Sequence, residues 1–199
     1  MIDTVNIVDD IIAALEEYHI TEKLEVAHFL AQAAHESADF TKFEEGTKYR
    51  YNRAKAIWPN RSIAIEGMQK SLDKKDDDFV EQPWLFDLVY GNRMGNIYPE
   101  DGYNFRGAGI FQLTGRANYQ LFNNWLHDEI HNINTIRDYC VIKEGAILSA
   151  IWFWQYNKIG AKALRNDLVA VTKTINGGII GLTDRQTKLD KYKQLLGVS

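Results

Sequence analysis

Apolar positions recur at helical spacing along much of the chain. Val5, Val8, Ile11, Ile12 and Leu15 fall on one face of a segment running from Val5 to Tyr18, the pattern of an amphipathic helix. Thr21 is placed to cap a second helix that continues to Glu36. Pro59 ends any helix in the Tyr-, Lys- and Arg-rich stretch 41–60, and the charge run from Leu72 to Phe79 reads as a solvated loop or helix face. Five glycines, Gly91, Gly95, Gly102, Gly107 and Gly109, make residues 90–109 rich in loops. The segment Glu144–Tyr156 is apolar nearly all round and predicts a core helix, with Trp152, Phe153 and Trp154 as packing residues. A further helix begins near Asn166 or Asp167 and stops at Asn176-Gly177-Gly178. Little of the chain alternates with period two. The expectation is an all-α or mainly α protein, a single domain over 1–199, with functional loops between helices.

Composition narrows the function. The 199 residues carry 45% hydrophobic and 25% charged side chains, a net charge of −4 and a pI near 5.7. That acidity argues against nucleic acid as a partner, because phosphate binding needs a basic face. Met1-Ile2-Asp3-Thr4 has neither a basic start nor an apolar stretch, so no signal peptide is expected, and no window approaches a membrane span. Cys140 is the one cysteine, set in Tyr-Cys-Val-Ile with no motif around it, and reads as a small core residue. A metal or other cofactor is not expected. His35-Glu36 begins a zinc-protease pattern, but Asp39 stands where the second histidine belongs, and the stripe His28, Gln32 and His35 suits a buried polar network.

Glu36 is the candidate acid. It ends an apolar helix, where burial and the negative end of the helix dipole both favour the protonated carboxyl. A second pair, Glu44-Glu45, follows the turn around Asp39–Lys42, and Glu45 lies nine residues after Glu36. Two carboxylates on opposite sides of a glycosidic bond are what sugar hydrolysis needs: one donates a proton, the other activates water or attacks. Five tryptophans, ten tyrosines and nine phenylalanines supply flat faces for sugar rings.

Six ordered segments give these residues a context: Ala-Ala-His-Glu-Ser (33–37), Glu-Glu-x-x-x-Tyr (44–49), Tyr-Gly-Asn-Arg-Met-Gly-Asn (90–96), Asp-Gly-Tyr-Asn-Phe-Arg-Gly (101–107), Gln-Leu-Thr-Gly-Arg-x-Asn-Tyr (112–119) and Ile-Asn-Gly-Gly (175–178). Together, from about residue 20 to 190, they resemble glycoside hydrolase family 19, the plant-type chitinases and, more closely, the lysozyme-like endolysins of phages that infect Gram-negative bacteria. The resemblance implies a bilobed, lysozyme-like helical fold with a substrate cleft, and inversion at the anomeric carbon. It implies Glu36 as general acid, Glu45 as the base that activates water, with Glu44 the weaker choice, and Thr114 as the hydroxyl that holds that water. His35, Arg106, Gln112, Tyr119, Asn176 and Arg185 match positions that contact the sugar or border the site. The chain departs from the family's Arg-Gly-Arg-Gly at Arg106-Gly107-Ala108-Gly109, which removes one fixed charge.

The leading expectation is an endolysin that cuts β-1,4 bonds of peptidoglycan between N-acetylmuramic acid and N-acetylglucosamine. Its partner is the glycan strand. It acts as a monomer, held in the host cytoplasm until a holin opens the membrane. The rivals are a chitinase of the same fold, a secreted antibacterial effector, and a non-catalytic wall-binding module with Ala108 as its supporting feature.

Overall fold

The computed structural model describes residues 4–127 and 132–198, with side chains from Ile7 onward. Met1 to Asp3 and the side chain of Val5 lie outside the described residues. The described chain is mainly helical; besides the helices it shows an isolated antiparallel bridge between Arg50 and Phe79. The helices are α1 (Thr4–Glu17), α2 (Lys23–Glu36), α3 (Tyr51–Ile57), α4 (Ser62–Ser71), α5 (Trp84–Tyr90), α6 (Asp101–Asn104), α7 (Arg116–Leu126), α8 (Ile136–Val141), α9 (Lys143–Tyr156), α10 (Gly160–Ala163), α11 (Leu168–Asn176) and α12 (Leu182–Leu196). The chain folds as two compact units: residues 1–43, 108–112 and 138–199, and residues 44–107 and 113–137.

In the first unit α2 is the central element. Every residue from Val26 to Ala34 is buried, four of them alanine, so neighbouring helices can approach closely. Its most extensive partner is α12, with α1, α10 and α11 also against it. Ile7, Ile11 and Leu15 of α1, Ile147, Ile151 and Trp154 of α9, and Leu189 and Tyr192 of α12 complete the core. Phe29 of α2 meets the Trp154 ring edge-on at 5.2 Å. As expected, α9 is buried over most of its surface, with Trp152 and Trp154 in the core, although Phe153 is only partly buried, and Cys140 is fully buried. The second unit packs Tyr51, Ala54, Ile65, Val80, Leu85 and Val89, with Tyr49, Trp58 and Tyr90 partly buried around them.

Local signals held where side chain and backbone act together. Asp167 caps α11 by accepting from the Ala170 amide at 2.9 Å, and Gly177 ends that helix in the left-handed region, φ 70°. Thr21 is not the cap of α2; that helix begins at Lys23 after Glu22, without a side-chain cap, because its burial rather than its end holds it. Pro59 opens a single 3-10 turn, Pro59–Arg61, after α3 has ended. The charge run is exposed as expected, although Asp76 pairs with Lys55 at 2.7 Å.

Candidate active site

Glu36 closes α2. Ser37 folds back, its hydroxyl donating to the Ala33 carbonyl at 2.6 Å and accepting from the Phe40 amide at 2.9 Å. Ala38, Asp39 and Phe40 are all in the left-handed region, φ 50°, 54° and 64°, a sequence that non-glycine residues adopt only when surroundings impose it. The imposition is visible: the Asp39 amide donates to Ala34, and the amides of Thr41 and Lys42 both donate to Ser37. The turn delivers Glu36 with 22% of its side chain exposed.

The donors around Glu36 come from α12. Arg185, 1% exposed, donates through one guanidinium nitrogen to Glu36 Oε1 and through another to Gln32 Oε1, and its Nε donates to the Ile180 carbonyl at 3.2 Å. Gln32 passes the network on, donating to Thr172 Oγ1 at 3.1 Å. Immediately before Arg185 on α12, Asp184 accepts from His35 Nδ1 at 2.6 Å. Asp184 can only accept, so this bond fixes the His35 tautomer with its proton on Nδ1. The His35 hydrogen bond, followed by the charge of Lys188, holds the Asp184 carboxyl below its ordinary pKa. Gly181, φ 73°, lies so close that a Cβ there would stand 2.3 Å from His35 Cε1. The imidazole is thereby held between a carboxylate and backbone.

In the second unit Glu44 and Glu45 diverge. Glu44 Oε1 receives both Arg137 at 2.6 Å and Arg106 at 2.7 Å. The Arg137 hydrogen bond, reinforced by both guanidinium charges against a smaller burial penalty, pulls its carboxyl below the ordinary value. Glu45 has neutral donors: the Tyr90 hydroxyl to Oε1 at 3.0 Å and the Gly107 amide to Oε2 at 3.0 Å. Burial, then the Glu45 charge, pushes the Tyr90 phenol well up, so it remains a donor across the physiological range. Each Glu45 oxygen therefore has one fixed partner and lone pairs to spare.

The other residues singled out in the sequence take varied places. Arg106, 9% exposed, stacks on Tyr103 at 4.3 Å and anchors Glu44. Gln112 is half-buried and donates to the Gly109 carbonyl at 2.9 Å. Thr114 is half-buried, and its carbonyl accepts from Asn118 at 2.8 Å. Asn176, the last residue of α11, is exposed. Tyr119 has no exposed surface, and its hydroxyl donates to the Arg106 carbonyl at 2.8 Å. Arg185 is likewise buried and donates to Glu36 and Gln32. Ala108 is fully buried, where a lone arginine charge would need its own partner. Asp184, Tyr90 and Arg137 escaped the sequence reading because their partners lie 149, 45 and 93 positions away. Among the described residues no cluster of histidine, cysteine and carboxylates could hold a metal ion, and no helix is long and apolar enough to cross a membrane.

No family model matches the chain. It is similar to a glycosyl hydrolase family 19 domain-containing protein of Haemophilus influenzae, 29% identical over 179 residues that span 87% of this chain and 80% of that protein. Its fold is that of chitinase C from Streptomyces griseus, with TM-score 0.60 and 16% identity over 98% of this chain and 84% of the other. A mutant of chitinase C gives TM-score 0.55 at the same identity, over 89% and 74%. The chain is thus similar in sequence to a glycosyl hydrolase family 19 domain-containing protein, and in fold to chitinase C.

Proposed function

We propose that this glycoside hydrolase cleaves the β-1,4 bond between N-acetylmuramic acid and N-acetylglucosamine in peptidoglycan, as the lytic enzyme of a phage-type lysis system. In this reading residues 1–199 form one catalytic domain, released from the host cytoplasm by a holin and active as a monomer. Glu36 protonates the leaving oxygen. Glu45 takes the proton of a water that attacks the anomeric carbon from the opposite face, so the configuration inverts. The Thr114 hydroxyl holds that water, and Gln112 and Asn176 offer amides to the sugar.

The contrast between Glu44 and Glu45 supports Glu45 as the base in this reading. A base must keep some affinity for a proton. Glu44 is neutralised by two arginines and held below its ordinary pKa, whereas Glu45 is oriented by a phenol and an amide that leave its charge uncompensated. Both Glu36 and Glu45 keep part of their surface exposed, as a group that handles protons must.

A second reading, hydrolysis of chitin, is favoured by the likeness to chitinase C. Mass spectrometry of products from Gram-negative peptidoglycan, reduced with borohydride, separates the two. Reduced muramic acid ends are expected. Reduced glucosamine ends would move the cut to the other linkage, and soluble products from colloidal chitin alone would favour the second reading.

A further inference from the structure

In the second unit, the end of α3, the 3-10 turn after it and the end of α5 enclose a concavity of about 320 Å³. Ile57 and Val89 give it an apolar wall, and Trp58, Asn60, Arg61 and Arg93 supply the rest. Trp58 is held in place, meeting the Tyr49 ring edge-on at 5.0 Å.

Among the described residues of this unit, Lys48, Arg53, Arg61, Lys75 and Arg93 have no carboxylate at ion-pair distance, and of these Arg61 and Arg93 line the concavity. Seven other cations there, Arg116 and Arg137 among them, lie 3.9 Å or less from a carboxylate. The contact of Arg93 is a 3.5 Å approach to the Val89 carbonyl. The chain as a whole is acidic, at −4. Two guanidinium groups without a carboxylate partner line one concavity, and a ligand carboxylate is the complementary charge. The planar fork of arginine matches a carboxylate with two parallel hydrogen bonds, the Asn60 amide adds a donor, and the tryptophan and aliphatic wall suit the alkyl part of a short peptide.

We propose that this concavity binds the carboxylates of the acidic peptide stems that peptidoglycan carries and chitin lacks. The inference rests on the peptidoglycan reading for its choice of ligand, and it would make Arg61 and Arg93 determinants of that choice.

The test begins with binding, which does not depend on cleavage. The full chain is titrated with the free stem tripeptide alanyl-glutamyl-diaminopimelate, following tryptophan fluorescence and heat, and then with the same peptide amidated at its carboxyl groups. Saturable binding that weakens with salt is expected, at least tenfold weaker for the amidated peptide and for the Arg61→Gln/Arg93→Gln double variant. No binding, or equal binding by the variant, overturns the proposal. On intact sacculi the same variant should raise KM at least fivefold with kcat unchanged, and it should leave turnover of glycan strands stripped of their stems unaltered. An equal loss on both substrates would assign the arginines to the fold and overturn the subsite. Peptide binding by a wild-type chain that cleaves no peptidoglycan would keep the subsite and overturn the muramidase reading instead.

Discussion

A guanidinium with 1% of its surface exposed must place its donors inside the protein, and Arg185 places them on Glu36, Gln32 and the Ile180 carbonyl. Lysine offers a point charge without the fork and cannot reach all three. Arg185→Lys should therefore lower stability by about 2–3 kcal/mol in urea unfolding and reduce kcat more than it changes KM. An unaltered kcat would mean that Glu36 does not depend on this partner. Tyr119 gives the opposite kind of test. If its hydroxyl supports only the Arg106 carbonyl, Tyr119→Phe should cost about 1 kcal/mol of stability and leave KM for the glycan unchanged. A several-fold rise in KM with no loss of stability would instead support the sugar contact that the sequence suggested. Gly181 has no room for a methyl group beside His35 and sits at positive φ, so Gly181→Ala should be more damaging than its size implies.

Helices carry the next set of forces. α2 buries His28 with Nε2 on Asn166 at 2.9 Å and Nδ1 without a partner. Burial pushes the His28 pKa down, against a smaller opposing effect of the Asn166 bond. A histidine depressed in the fold binds its proton more readily when unfolded. Its contribution is whole above the unfolded value, roughly 6.5, and is lost as pH falls from there toward the lower folded pKa. Thermal melts should show stability declining below about pH 6.5, and His28→Phe should flatten that limb; an unchanged slope would contradict the assignment. Asp101 acts lower on the scale. Burial alone would raise its carboxyl, but Arg116 and the amides of Tyr98 and Ile97 outweigh that and hold it below its usual value. Its contribution is present above about pH 4 and disappears as pH falls through the folded pKa, so Asp101→Asn should blunt the acid limb alone. At this scale the sequence was informative where the cause is local. The period of α1, the apolar α9 and the Asp167 cap with its Gly177 stop could all be read from spacing, and so could Glu36 at a helix end. The groups that orient Glu36, His35, Glu44 and Glu45 could not, because they arrive from helices distant in the chain and no local pattern records such pairings.

At the scale of the molecule, the chain builds its two units by crossing from one to the other after residues 43, 107, 112 and 137. The first and second candidate carboxylates, Glu36 and Glu45, belong to different units, which is why their nine-residue spacing said so little about their environments. Each has its own set of donors, and the account assigns the proton to Glu36. The most direct test is the turnover of Glu36→Gln on purified peptidoglycan, with circular dichroism and sacculus binding recorded on the same preparation. The amide keeps the shape and the Arg185 contact but cannot transfer a proton to the leaving oxygen. The expected result is a folded protein that binds sacculi and has lost at least a hundredfold in kcat. A folded variant that keeps more than about a tenth of wild-type turnover, a loss smaller than general acid catalysis supplies, would show that another group delivers the proton.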